Sequence, residues 1–172
     1  YATGIAAAGQ HVYVTTGGGL EVVDVTTPSA PSVVGAVASP GQARDVAVGG
    51  NHAYLADGTG GLRVIDVSDP AAPSEVGACT VFSYASGVTL SGTTAYVADG
   101  GYGLRVVDVS SSSNPVEVGS LATLWSAEDV AVAGGYAYVA ADQGGLRVVD
   151  VTVPSTPVEV GSVDTPGGAA GV

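Results

Sequence analysis

Short apolar stretches rich in Val, Ala, Leu and Tyr recur along the chain, each bounded by Gly, Pro, Asp or Ser. None carries the 3.6-residue apolar period, so the pattern predicts short β-strands and almost no helix. In the second quarter the predicted strands span 43–48, 52–57, 62–67 and 74–80, termed A to D here. A Gly-Gly-Asn turn joins A to B. The glycines of 57–61 supply positive φ between B and C, and the prolines of 66–73 stop the chain between C and D.

The same arrangement occurs four times. The copies read GLEVVDVTTPSAPSVVG from Gly19, GLRVIDVSDPAAPSEVG from Gly61, GLRVVDVSSSSNPVEVG from Gly103 and GLRVVDVTVPSTPVEVG from Gly145. Leu20, Leu62, Leu104 and Leu146 are spaced 42 residues apart, as are Asp24, Asp66, Asp108 and Asp150. Tyr13, Tyr54, Tyr96 and Tyr138 stand in register, with one residue fewer in the first copy. A repeated four-stranded meander of this length predicts an all-β array of four antiparallel β-propeller-type blades. The blades are expected at about 2–42, 43–84, 85–126 and 127–168, with 169–172 starting a further one. Blades bury apolar faces against their neighbours, which accounts for Val and Ala on both faces of B and C. The chain shares no blade between its ends. This favours an incomplete ring or open array, completed by more chain or by identical copies, over a closed ring of four.

The wording GLRVVDVS…P…PVEVG, with AYVADG upstream, resembles the LVIVD-repeat family over essentially the whole chain. The resemblance implies β-propeller-like repeats of bacterial and archaeal proteins, many exported or at the cell surface. It carries no shared catalytic motif. The first copy departs most, having Glu21 where Arg63, Arg105 and Arg147 stand later, and the third lacks the first proline of its C–D connection.

Composition narrows the function classes. Four Arg, no Lys and 16 acidic residues give a net charge of −12 and a pI near 4.1, which disfavours nucleic acid and anionic membranes as partners. No apolar run approaches the ~18–20 residues of a spanning helix. The single Cys, Cys79, excludes an internal disulfide; it replaces Val37, Leu121 and Val163 and is expected to be a buried hydrophobe. With no Met, and Tyr1 first, the chain is expected to be a processed product or fragment.

Catalytic constellations are missing. His11 and His52 share one repeat position beside the A–B turn and are expected as exposed turn residues. There is no Gly-x-Ser-x-Gly elbow or His-Glu-x-x-His, and the run from Gly58 puts Arg63 where a dinucleotide loop needs its third Gly. The chain is therefore expected not to be an enzyme. Arg63, Arg105 and Arg147 each have a Glu twelve residues on, namely Glu75, Glu117 and Glu159, while the first copy lacks both charges. This co-occurrence predicts exposed cross-strand ion pairs near the blade edge. The four period-keeping Asp residues are expected to cap backbone amides as Asx turns. The loops at Asp57, Asp99 and Asp142 bring one carboxylate each, where a calcium loop alternates several. Turn capping is favoured there, with weak Ca2+ binding by pooled loops as the alternative and no other cofactor.

Departures from the repeat mark the candidate site. The D-to-A connections read SPGQA, VFSYA, TLWSA and TPGGA. Two have lost Pro-Gly and gained Phe82, Tyr84 and Trp125. Together with Tyr102 and Gln143, and with Arg44, Asp45, Glu128 and Asp129 at the start of strand A, these define a candidate binding face. Exposed aromatics beside acids suit a protein partner or a sugar ring, unless they plug the space between blades. The expected function is a non-enzymatic extracellular or cell-surface prokaryotic module. It would serve as a structural or adhesive scaffold or protein-interaction platform, partnered by identical copies or more of its own chain. A lectin-like carbohydrate- or small-ligand-binding module is the alternative.

Overall fold

A computed structural model describes residues 1–123 and 125–172; Leu124, in the connection leading to the fourth blade, lies outside them. Among the described residues sixteen strands form four sheets, each a meander of four consecutive antiparallel strands. The first blade holds β1 (Ala2–Ala8), β2 (His11–Thr16), β3 (Gly19–Asp24) and β4 (Ser32–Ala38). The second holds β5 (Asp45–Gly49), β6 (His52–Ala56), β7 (Leu62–Asp66) and β8 (Ser74–Cys79). The third holds β9 (Gly87–Ser91), β10 (Thr94–Ala98), β11 (Leu104–Asp108) and β12 (Val116–Leu121). The fourth holds β13 (Asp129–Ala133), β14 (Tyr136–Ala140), β15 (Leu146–Asp150) and β16 (Val158–Val163). Each sheet lies within one expected blade span, and no helix occurs among the described residues.

Register explains the repeat. β2 to β3, β6 to β7, β10 to β11 and β14 to β15 pair without a break, whereas every third-to-fourth strand pairing slips at one point. Val34, Val76, Val118 and Val160 are the extra residues of these β-bulges, which bend each outer strand and add twist. Asp24, Asp66, Asp108 and Asp150 accept the amide two residues on at 2.7–2.9 Å, the expected Asx turns.

Three apolar cores lie between blades rather than within them. Tyr13, Leu20 and Val22 of the first blade pack on Val46, Ala53, Leu55 and Ile65 of the second. Tyr54, Leu62 and Val64 meet Val88, Ala95, Val97 and Val107, and Tyr96, Leu104 and Val106 meet Val130, Ala137, Val139 and Val149. Cys79 is buried in the middle core, as its repeat position predicts, and burial raises its thiol pKa. The inner strands β1, β5, β9 and β13 contact one another in that order, and no comparable contact joins the first blade to the fourth. The described residues form an open arc.

Candidate functional site

The concave side of the arc is a cavity of about 650 Å³ lined by the starts of the inner strands, including Thr3, Arg44, Asp45, Ser86, Glu128 and Asp129. Its wall alternates. Gly4, Asp45, Gly87, Asp129 and Gly171 occupy one repeat position in turn. A Cβ on Gly4 would stand 2.6 Å from the Cα of Asp45, and one on Gly87 would stand 2.8 Å from Asp129 Oδ1. Each carboxylate therefore fills space that the preceding blade leaves free. On its other side Asp45 Oδ2 accepts the Val88 amide at 2.9 Å, and Asp129 Oδ2 accepts the Val172 amide at 3.0 Å. Burial raises the Asp45 pKa, against the lowering effect of the Val88 and Val46 amides, and Asp129 raises it further. The blades bearing Gly carry hydroxyls instead: Thr3 and Ser86 donate to the carbonyls of Ala43 and Ala127 in the next blade, each at 2.8 Å. Asp45 and Asp129 are candidates on sequence; the glycines are not. The signal was their alternation with Asp along the repeat.

The B–C loops and D–A connections do share one face. Gly58 bridges to Ala85, Gly100 to Ala127 and Asp142 to Ala169. On this face Tyr84 lies under the Arg44 guanidinium, 5.6 Å from ring centroid to Cζ, and its hydroxyl reaches Gln42. Tyr102, 58% exposed, takes the Arg105 guanidinium at 5.5 Å. Trp125 is 44% exposed and lies over Gly144, close enough that a Cβ there would strike the indole. Gln143 is exposed. Phe82 turns away from this group: it packs on the core between the second and third blades, beside Gly61. An aromatic beside a glycine with φ +80° fills space that the Pro-Gly connections leave to backbone.

One expectation about charge is corrected and one is extended. Arg63, Arg105 and Arg147 reach Glu75, Glu117 and Glu159 at 3.3, 3.0 and 3.5 Å; the glutamate ends lie open to solvent in the first and third pairs, while the arginine side chains are 11–16% exposed. Arg105 Nε also donates to Asp99 at 3.1 Å and Arg63 Nε lies 3.6 Å from Asp57, and both carboxylates are fully buried. Asp57 accepts the Ser39 hydroxyl and the Gly41 amide, while Asp99 accepts the Ser83 and Tyr84 amides. Each thus ties a connection to an arginine. Asp142 does not match them. Ala141 takes their place, fully buried, and Asp142 sits at the position of Gly58 and Gly100 with φ +41°. Among the described residues Arg147 Nε, like Arg63 Nε, is buried without a hydrogen-bond partner, and Arg147 Nη2 lies 3.7 Å from Asp164.

The two ends of the arc carry the third feature. Val46, Val88 and Val130 are 3–5% exposed against the preceding blade, whereas their counterpart Ile5 is 69% exposed. At the other end Val163 is 56% exposed where Cys79 is 6%. Outer-strand glycines tell the same story. A Cβ on Gly35, Gly77 or Gly119 would run into the carbonyl of Pro70, Ser112 or Pro154 in the next blade; around Gly161 there is nothing within 4 Å.

The sequence pattern of the LVIVD repeat matches residues 1–39, 40–81, 83–123 and 126–165. The chain belongs to the LVIVD-repeat family. No curated protein matches the sequence. Among solved structures, the LVIVD chain is similar to the computationally designed Ika4 protein, at 13% identity and a TM-score of 0.70 over 86% of this chain and 89% of that one. It is also similar to the computationally designed Ika8 protein, at 12% identity and a TM-score of 0.72 over 98% of this chain. The LVIVD chain spans 50% of the Ika8 chain that it matches. These likenesses show the fold, a propeller-type repeat array. Among the described residues no helix is long and apolar enough to cross a membrane, and no three metal-ligating side chains gather.

Proposed function

We propose that this LVIVD array is a non-enzymatic structural and interaction module, exported to the surface or exterior of a prokaryotic cell, whose partners are further blades of its own kind. The observation that carries the reading is Ile5, exposed where Val46, Val88 and Val130 are buried. An apolar face repeated three times as a buried interface has been selected for contact with another blade, and leaving it in water forgoes about 1.5–3 kcal/mol for a side chain of this size. The acidity of the chain, −12 overall, suits solubility and keeps unrelated anionic surfaces away. The test is the mass of the native particle by light scattering, with electron-microscope images of the same sample. Dimers, rings or filaments are expected; a 16.6 kDa particle at every concentration would overturn the reading.

A lectin-like role has its own support in the exposed Trp125 and Tyr102 beside buried Arg–acid pairs. Flat aromatic faces stack on sugar rings or protein side chains, and polar neighbours fix orientation. Glycan-array binding lost in Trp125→Ala, with assembly unchanged, would favour this second reading.

A further inference from the structure

Resting on the lectin-like reading, we propose that the fourth blade binds the carboxylate of an acidic sugar, a hexuronic acid, in the place that the second and third blades fill with an aspartate of their own. The third blade shows the complete arrangement. Asp99 accepts the Ser83 and Tyr84 amides on Oδ1 at 2.8 and 2.7 Å, and Arg105 Nε on Oδ2 at 3.1 Å. The second blade repeats it more loosely, with Ser39, Gly41 and Arg63 about Asp57. One period on from the third, the fourth blade keeps Arg147 and carries the Trp125 and Ser126 amides where Ser83 and Tyr84 stand, but Ala141 replaces the aspartate. Among the described residues Arg147 Nε is buried without a hydrogen-bond partner. Arg63 Nε, also without one, still faces Asp57 at 3.6 Å. Glu159 answers Arg147 at Nη1, and Asp164, 85% exposed, reaches Nη2 from solvent at 3.7 Å. The buried Nε calls for an acceptor, and a carboxylate is the group that a planar guanidinium fits.

The neighbouring side chain selects a sugar. A Cβ on Gly60 would strike the Asp57 carboxylate, whereas one on its repeat counterpart Gly144 would strike the Trp125 indole and stand 2.9 Å from Arg147 Nη2. The indole therefore borders the space that a carboxylate takes in the second blade, and it is 44% exposed. A carboxylate entering beside Nε moves the indole off Gly144, and the ring that bears the carboxylate then lies against the indole face. A net charge of −12 repels polyanions, so the fit is to one uronic acid on an otherwise neutral glycan.

Trp125 is the single tryptophan of the chain, so its fluorescence reports on the site. Titrations of the full chain with glucuronate, glucose and acetate are expected to rank glucuronate first, by on the order of tenfold or more. Glucose lacks the charge-assisted bonds to Nε and the amides, and acetate lacks the ring contact. Ala141→Asp supplies the internal carboxylate of the other blades, so it should abolish glucuronate binding while raising the melting temperature. Arg147→Lys, which keeps the charge and loses Nε, should weaken glucuronate binding on the order of tenfold. Glucuronate bound equally well by both variants, or glucose bound as well as glucuronate, overturns the carboxylate site while leaving the lectin-like reading standing. So does failure to bind glucuronate in a chain that binds neutral glycans on an array. A chain that binds no glycan overturns both.

Discussion

Gly4 and Asp45 share one space: a Cβ on the glycine would lie 2.6 Å from the Cα of the aspartate. The relationship recurs at Gly87 and Asp129. Blade contact along the inner wall is thereby a match of one absent side chain to one present carboxylate, and each carboxylate is anchored by the amide of the blade after it.

Gly87→Ala should destabilise the chain by about 1–3 kcal/mol in urea unfolding, the usual cost of overpacking a close contact. Asp129→Gly in the same chain should recover part of that loss. Additive losses would show that the two positions are not coupled.

The three arginines should differ in worth. Arg105→Ala leaves the fully buried Asp99 with only its two amide donors and should cost about 2–4 kcal/mol. Arg63→Ala should cost less, because its Nε lies 3.6 Å from Asp57. Arg147→Ala should cost least, for with Ala141 in place the carboxylates it leaves, Glu159 and Asp164, are solvent-exposed. Equal losses in thermal unfolding would contradict the role given to Asp57 and Asp99.

Stability should fall in acid in a defined way. Asp24, Asp66, Asp108 and Asp150 are held below their ordinary value of 3.8, in Asp24 and Asp108 chiefly by the amide two residues on and in Asp66 and Asp150 chiefly by its hydroxyl. Their contribution is complete above 3.8 and is lost as pH falls through the lower folded values. Asp45 acts oppositely, since its folded pKa is raised: its share is present below 3.8 and lost as pH rises through the folded value. Melting temperatures against pH should therefore show Asp108→Ala flattening the acid limb, and Asp45→Asn gaining relative to the parent as pH rises above 3.8. The reverse pattern would refute the assignment.

Calcium should leave the melting temperature unchanged, and so should a chelator. Asp57 already spends its oxygens on Ser39 and Gly41, and Asp99 on Ser83, Tyr84 and Arg105. A rise of several degrees with Ca2+ would mean that these carboxylates have another use.

The scaffold was legible in the sequence because each repeat checks the others. Leu62 or Asp66 alone says little, but four copies in register define strands, turns and Asx caps. The Arg63–Glu75 pairing is legible for the same reason, though the burial of Arg63 against Asp57 is not, since that second carboxylate comes from a loop. Asp142 misled because an Asp one position late still looks like the Asp of DG loops. The 42-residue period and the backbone both show that Ala141 holds that place. Sequence proximity groups Phe82 with Tyr84, but the chain bends at Ser83, and Phe82 packs on the core while Tyr84 meets Arg44. Gly4 and Gly87 escaped notice because their partners lie one whole repeat away, and a missing side chain gives no sign by itself of what fills its space.

The alternation on the inner wall also sets a rule of inheritance. Loss of one repeat from such a gene would bring two aspartates side by side, one with its Cβ against the next main chain, or two glycines with an amide left unanswered. Loss or gain of two repeats preserves every contact. The heritable module of this array is thus a pair of blades, and viable length variants should differ by even steps.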